Sequence, residues 1–133
     1  MRSLVESTTH ENYQYLFATE DCRGNRVALK KETFVHKIAP KHPEVTPDLI
    51  RHGVESPHWI TQDPDHQNRH RYYRLIPTPI QGRSDITNLK VVVELTQSEY
   101  NEVVTAYLPR DLKGEDISGG ILYDSSFKRV RRI

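Results

Sequence analysis

Cysteine is almost missing from this 133-residue chain, in which Cys22 is the only one. A single cysteine excludes an intrachain disulfide and a cysteine-rich zinc site, and it fits a reducing compartment. Long hydrophobic runs are missing too, since no apolar stretch approaches the roughly 20 residues that a membrane-spanning helix needs. The first ten residues also lack the apolar segment of a signal peptide. We therefore expect a cytoplasmic protein with no membrane span.

An excess of one charge is also missing, because 19 Lys and Arg residues face 18 Asp and Glu residues. Domains that bind nucleic acid are usually clearly basic, although a local basic patch can do the same work. A hydrophobic content of 35% is low for a compact domain and suggests loose ends. We expect a flexible N-terminal arm over residues 1–12, one domain over 13–108, and a C-terminal extension over 109–133 with a basic tail at 128–132.

The chain is organised around residues 33–61, which the pattern of apolar positions predicts as two short helices leading into a strand. Pro40 should end or bend the first helix, because proline removes a donor and crowds the preceding turn. Thr46 and Pro47 form a typical helix start for the second. An aromatic stretch at 13–19 and a return strand at 27–29 predict a hairpin. Further strands are predicted at 58–61, 69–76, 89–95 and 102–108. The expected fold class is α+β, with an N-terminal hairpin and two short helices packed on a four-stranded antiparallel sheet.

Histidine is concentrated in one part of the chain, and residues 33–61 hold four of the seven histidines. Histidine titrates near neutral pH and therefore suits proton transfer without a metal. His36 and His42 are the best candidates, because a bend at Pro40 would allow their side chains to converge. The alternative is that these histidines are solvated and have no chemical role.

The strand at 69–76 places arginine beside tyrosine on both of its faces. Arg71 and Tyr73 project to one face, and Tyr72 and Arg74 project to the other. Arginine can hold a phosphate with two N–H groups, and tyrosine can stack on a base. Arg71, Tyr73, Arg74 and Lys41 are therefore candidate RNA- or phosphate-binding residues. The alternative is a solvated strand face on which long side chains cover the sheet.

Thr105 and Tyr107 share one face of the strand at 102–108, where their hydroxyls could line a cleft with the histidines. The alternative is that both are ordinary strand-forming residues. A metal site at His66 and His70 is a rival, since this spacing places two ligands on one helix face. The turn residues before His66 and the strand-like residues after it argue against a helix there, so we expect no metal.

The ordered set of these motifs resembles a known family. Val27-x-Leu29 is followed by H-x-x-x-x-x-H-P-E from His36, a helix ending in Ser-Pro, a strand, the tyrosine pair of the strand at 69–76, three valines at 91–93, and V-V-T-A-Y at 103–107. This order is similar to the barnase–EndoU–colicin–RelE-like nuclease superfamily, and most to its phage-associated branch, over roughly residues 21–108. The resemblance implies RNA cleavage without metal or cofactor, often as a toxin with a cognate inhibitor. It implies roles in catalysis for His36, His42, Thr105 and Tyr107. It also implies that either Arg71 and Tyr73 or Tyr72 and Arg74 match the family's functional position on this strand.

We therefore expect a metal-independent endoribonuclease in which histidine transfers protons and arginine stabilises charge on the phosphate. Two alternatives stay open. The same fold could hold RNA or a protein partner without turnover, which the balanced net charge favours. Or the protein could be a toxin whose target is ribosome-bound RNA or tRNA, so that free RNA would be a poor substrate.

Overall fold

The computed structural model describes residues 14–77, 86–109 and 115–126. The predicted arm at 1–12 and the basic tail at 128–132 lie outside the described residues. The strands are β1 (Tyr15–Glu20), β2 (Arg26–Lys30), β3 (Trp59–Gln62), β4 (Arg69–Pro77), β5 (Ile86–Glu94), β6 (Asn101–Tyr107) and β7 (Ile121–Asp124). The helices are α1 (Lys31–Thr33), which a π-helical turn (Phe34–Ile38) continues, and α2 (Pro47–Glu55).

The predicted fold class, an α+β fold with a four-stranded antiparallel sheet, is wrong, because the described residues form one mixed sheet of seven strands with two short helices. The strand order is β1-β2-β6-β5-β4-β3-β7. The hairpin belongs to the sheet, since β2 runs parallel to β6 and pairs Val27 with Asn101 and Ala28 with Glu102. At the other side β7 pairs antiparallel with β3. Both additions cover backbone edges that would otherwise present unpaired N–H and C=O groups.

The helix that begins at Lys31 ends at Ile38, two residues before Pro40, and its last turn is widened. The Ala39 amide donates to the Phe34 carbonyl, five residues back, over 2.8 Å. In a regular α-helix the Pro40 ring would clash with the carbonyl four residues back, and proline has no N–H to donate. The wider turn avoids this conflict and carries the chain on, so that the His42 amide donates to the Ile38 carbonyl over 2.7 Å.

The second helix begins as the sequence predicts. Thr46 has an extended backbone, and its hydroxyl oxygen accepts a hydrogen bond from the Leu49 amide over 3.2 Å. Pro47 occupies the first helical position, where its missing N–H has no cost. Asp48 lies in the first turn, near the positive end of the helix dipole. These local features are enough to mark where α2 starts.

The apolar core lies between the helices and one face of the sheet, which we call the helix face. Gly53 of α2 approaches this face so closely that a Cβ atom there would lie 3.0 Å from Leu89 and 3.1 Å from Val91. Alternate residues of β5 therefore point towards α2. The buried core consists of Val27, Leu29, Ile38, Val45, Ile50, Val54, Ile60, Tyr72, Ile76, Leu89, Val91, Val93, Val103 and Ala106.

A bulge in β6 determines which residues of that strand face the core. Thr105 pairs with Val92 and Val103 pairs with Val93, so Val104 is an extra residue between two pairs. Strict alternation along 102–108, which the sequence predicts, would place Val103 on the same side as Thr105, and the bulge shows that this expectation is wrong. Val103 instead joins the core on the helix face. A bulge of this kind re-aims side chains, and bulges are common beside functional sites.

The turn between β1 and β2 is fixed to β4 by a buried carboxylate. Asp21, which is 5% exposed, accepts N–H groups of Arg23 and Asn25 over 2.8 and 2.9 Å and also the Tyr72 hydroxyl. Burial and this carboxylate together raise the pKa of Tyr72. Tyr72 is therefore a structural residue of the helix face.

Among the helices that the structure describes, none is long and apolar enough to span a membrane.

Candidate functional site

Two adjacent cross-strand rows of side chains lie on the sheet face turned away from the helices, which we call the outer face. Strand pairing aligns Tyr107, Lys90, Tyr73 and Trp59 in the first row, running from β6 to β3. It aligns Thr105, Val92, Arg71 and Thr61 in the second row. Because strand residues alternate between faces, these side chains share the outer face while their neighbours Tyr72 and Val91 face the core. Four residues predicted from the sequence, on two strands, thus share one surface.

Two cations and one carboxylate form the centre of these rows. Lys90 is 7% exposed and Arg71 is 6% exposed. Both approach the same oxygen of Glu115, with Lys90 Nζ at 2.7 Å from Oε1 and Arg71 Nη1 at 3.9 Å. Lysine and arginine are almost never buried unless they are paired, so Glu115 is needed to hold them here. We call Arg71, Lys90 and Glu115 the charge cluster.

Tyr73 completes the surroundings of the Glu115 carboxylate. Its hydroxyl donates to Oε1 over 2.6 Å. Burial and the hydrogen bond to Glu115 raise the pKa of Tyr73, which therefore stays protonated. Burial alone would raise the pKa of Glu115, but hydrogen bonds from Lys90 and Tyr73, together with the positive charges of Lys90 and Arg71, outweigh it and lower that pKa. The carboxylate is therefore ionised at neutral pH.

Arg71 is held in place by groups on both sides of its guanidinium. Its Nε donates to the Thr61 hydroxyl over 3.3 Å, and its Nη2 donates to the Asp116 carbonyl. The Nη1 distance of 3.9 Å to Glu115 is an ion pair rather than a hydrogen bond. Among the described residues, the contact of Nη1 is therefore this longer ion pair.

His42 and Tyr107 extend the first row beyond the charge cluster. Their rings stack with centroids 5.3 Å apart. The Tyr107 hydroxyl oxygen accepts a hydrogen bond from Lys90 Nζ over 3.0 Å, and the ammonium also lies 5.2 Å from the centre of the Tyr107 ring. The widened turn before Pro40 thus delivers one of the two predicted histidines to the outer face. An unbroken series of contacts runs from His42 through Tyr107, Lys90 and Glu115 to Arg71.

The other predicted site residues are not all brought together. His36 lies exposed in the π-helical turn, and Lys41 is exposed in the turn that follows it. Thr105 lies beside Tyr107 on the outer face and is partly buried. Arg74 extends from β4 towards the end of α2, where its Nη1 donates to the Ser56 carbonyl over 2.5 Å. Of the two arginine–tyrosine faces left open by the sequence, the one with Arg71 and Tyr73 is the face on which both side chains approach Glu115.

Sequence reasoning missed Lys90 and Glu115. A lysine inside the apolar run of β5 was a usable signal, because a strand buried on both faces has no reason to keep a charge unless that charge is paired. Glu115 gave no signal, since it lies in the segment after β6 that has no periodic pattern. Glu115 lies 25 residues after Lys90 in the sequence, and only the folding of the chain brings the two side chains into contact.

The histidines that suggested a metal site are used differently. His66 lies in the turn before β4, where its amide donates to the Asp63 carboxylate over 3.1 Å. His70 lies in β4, with Nδ1 at 3.1 Å from Arg23 Nη2. Burial and the nearby Arg23 charge lower the pKa of His70. Within residues 14–77, 86–109 and 115–126, no group of three or more His, Cys, Asp or Glu side chains could hold a metal ion.

Comparison with known proteins adds no relative to this description. The chain matches no family model, no curated protein and no solved structure.

Proposed function

We propose that this protein cleaves RNA without a metal ion, using the outer face of its sheet as the active site. The observation that carries the proposal is the series of contacts that joins His42, Tyr107, Lys90 and Arg71 on one surface. An imidazole, a phenol and two cations are the groups that transfer of a phosphoryl group to a neighbouring hydroxyl needs.

The proposed reaction begins with His42 as general base. Its imidazole takes the proton of the ribose 2′-hydroxyl, and the 2′-oxygen attacks the adjacent phosphorus. The bond from phosphorus to the 5′-oxygen then breaks, which leaves a 2′,3′-cyclic phosphate and a 5′-hydroxyl end. Glu44 is the acidic neighbour of this histidine, with its Oε2 at 4.0 Å from His42 Nδ1.

Tyr107 is the proposed general acid. The Lys90 ammonium donates to the Tyr107 hydroxyl oxygen, so the hydroxyl hydrogen points away from Lys90 and is available to the leaving 5′-oxygen. The described contacts of Lys90 use two of its three ammonium hydrogens. The third hydrogen and Arg71 Nη1 are placed to stabilise the charge that develops on the phosphoryl oxygens. Thr105 supplies a further hydroxyl on the same face.

A second candidate function is an RNA- or protein-binding module without turnover. The contact that favours it is Glu115, whose carboxylate already pairs with Lys90 at 2.7 Å. A phosphate at the charge cluster has to share these cations with that carboxylate. This competition makes the charge cluster a weaker catalytic site. A binding module retains RNA and yields no cyclic phosphate ends.

By the resemblance of its motifs we further propose a cytoplasmic, toxin-type nuclease with a cognate inhibitor protein. Ribosome-bound RNA or tRNA as the target would make free RNA a poor substrate. Growth arrest on expression, relieved by a neighbouring gene, would separate this case from a passive binder.

The decisive assay uses labelled RNA and the matching DNA, both with EDTA present. We expect cleavage of RNA with 2′,3′-cyclic phosphate ends and no cleavage of DNA, because DNA lacks the 2′-hydroxyl. His42→Ala should lower the rate roughly 10²–10⁴-fold, the usual contribution of one proton-transfer group.

His36→Ala tests the other predicted histidine, and His52→Ala, at an exposed position of α2, is the matched control. Wild-type rates for both His36→Ala and His42→Ala, or a metal requirement, would refute the mechanism.

A further inference from the structure

A pocket opens on the outer face directly beside the charge cluster. It is lined by Trp59, Thr61, Tyr73, Glu115, Ile117 and Ile121. Its floor comes from β3 and β4, and its walls come from β7 and from the segment that carries Glu115. Most of these side chains are apolar or aromatic, so the pocket favours a ring over a charged group.

The size of the pocket limits what it can hold. Its volume of about 210 Å³ is far above the roughly 10–15 Å³ that one water needs. It is below the roughly 300–1,000 Å³ of sites that enclose a drug-sized ligand. A single planar ring system attached to a larger molecule fits this range.

Two lining residues connect the pocket to the charge cluster: Glu115, which belongs to the cluster, and Tyr73, which contacts it. Tyr73 and Glu115 line the pocket, and their side chains meet at 2.6 Å. The Glu115 oxygen in that contact is the one that Lys90 and Arg71 approach. A ligand in the pocket is therefore a neighbour of both cations and of the Glu115 carboxylate. The two positive charges outnumber the one negative charge, so the cluster attracts an anionic group on the ligand.

We propose that this pocket binds one unstacked nucleobase of an RNA chain whose phosphate contacts Lys90 and Arg71. This inference rests on the proposed function and adds a base-binding subsite to it. The base stacks on the aromatic side chains and contacts Ile117 and Ile121, as bases of single-stranded RNA do on aromatic surfaces. Glu115 is an acceptor-only group, so bases that carry an amino group, such as adenine and cytosine, bind better than uracil.

The chain carries its own probe for this test, since Trp59 is its only tryptophan and lines the pocket. We would titrate tryptophan fluorescence of the full chain with the 3′- and 5′-monophosphates of adenosine and uridine. Ribose 5-phosphate is the anion without a base. We expect the adenosine nucleotides to change Trp59 emission, and ribose 5-phosphate to compete with them while leaving the emission unchanged.

Two neighbouring substitutions on β7 give a matched pair. Ile121 lines the pocket and is 54% exposed, whereas Leu122 is 42% exposed and is not among the lining residues. Ile121→Glu should weaken the binding of adenosine monophosphate on the order of 10-fold, because it removes an apolar contact to the base and adds a negative charge beside it. Leu122→Glu should bind it as the wild type does. Both exposed positions should tolerate the change, and circular dichroism checks that both variants fold.

The results separate this proposal from the nuclease proposal. Nucleotide binding that Ile121→Glu weakens, without cleavage of free RNA, ribosome-bound RNA or tRNA, supports the pocket and refutes the nuclease. RNA cleavage in EDTA with the same KM for the wild type and Ile121→Glu refutes the pocket alone. Unchanged Trp59 emission with every nucleotide, or equal affinities for Ile121→Glu and Leu122→Glu, also refutes it.

Discussion

Lys90 shows how a single residue can join two parts of the site. It lies in the middle of an apolar strand at 7% exposure, where an unpaired ammonium would be strongly unfavourable. The Glu115 carboxylate compensates the charge, and the Tyr107 hydroxyl accepts a second hydrogen bond. Lys90 therefore connects the proposed general acid to the charge cluster, and its ion pair with Glu115 should leave a mark on the pH dependence of stability.

The first prediction concerns Glu115→Gln. The folded-state pKa of Glu115 lies below its unfolded value of about 4.3. Its charged form therefore contributes stability above that value, and this contribution is lost as the pH falls through the folded pKa. We expect Glu115→Gln to lower the free energy of unfolding by about 3–5 kcal/mol at pH 7, because it leaves the buried charges of Lys90 and Arg71 uncompensated.

Urea unfolding at pH 7 and pH 3 measures this effect, and the difference between wild type and Glu115→Gln should shrink at pH 3. The control is Glu99→Gln, because Glu99 forms an exposed pair with Arg26 and such pairs contribute little. A difference of the same size at both pH values would contradict the assignment of a lowered pKa to Glu115.

At the scale of elements, residues 115–120, which lead into β7, cover part of the outer face. The Gln62 amide donates to the Gly120 carbonyl over 2.9 Å, which fixes the end of this segment against β3. Gly119 lies so close to β3 that a Cβ atom there would be 2.3 Å from the Gln62 carbonyl oxygen. Because that neighbour is backbone, it cannot move aside as a side chain could. The position of Glu115 therefore depends on this close approach.

The second prediction is that Gly119→Ala forces the segment away from β3. We expect a loss of stability of about 1–3 kcal/mol, as for other substitutions that overpack a contact. Amide hydrogen exchange at Gln62 should speed up, since its hydrogen bond to Gly120 is strained. Ser118→Ala, at the exposed neighbouring position, should stay within about 0.5 kcal/mol of the wild type. Unchanged exchange at Gln62 in Gly119→Ala would show that the segment does not pack against β3.

At the scale of the whole molecule, the charge balance limits how the proposed RNA substrate would be bound. The formal net charge is only +1, so a general attraction to polyanions is weak. Binding must then come from a few well-placed cations, of which Arg71 and Lys90 are buried on the outer face. A small number of phosphate contacts predicts a shallow dependence on salt.

The third prediction concerns this salt dependence. Two phosphate contacts to single-stranded RNA give a slope of log K against log salt of roughly −1.4, because each contributes about −0.7. Arg71→Gln should reduce the slope by about 0.7. Arg26→Gln, which removes an exposed cation paired with Glu99, should leave it unchanged. Equal slopes for the wild type and Arg71→Gln would show that RNA does not contact this arginine.

Local signals in the sequence determined most of the elements. Thr46 and Pro47 fixed the start of α2, Pro40 ended the preceding helix, and alternating and apolar runs marked the strands of the middle of the sheet. Arg71, Tyr73, Thr105 and Tyr107 were assigned to strands correctly, because side-chain alternation follows from backbone geometry alone. The action of these residues on RNA is a proposal, which the assays above test.

The tertiary structure decided what no local pattern encodes. Hydrogen bonds between strands distant in the sequence placed β2 beside β6 and β7 beside β3, and so turned an expected four-stranded sheet into one of seven strands. The bulge at Val104 chose which side of β6 meets the core. The return of the chain after β6 brought Glu115 onto Lys90 and Arg71. Pairing, register and long-range charge contacts depend on the whole chain, whereas caps, turns and periodicity depend on neighbours only.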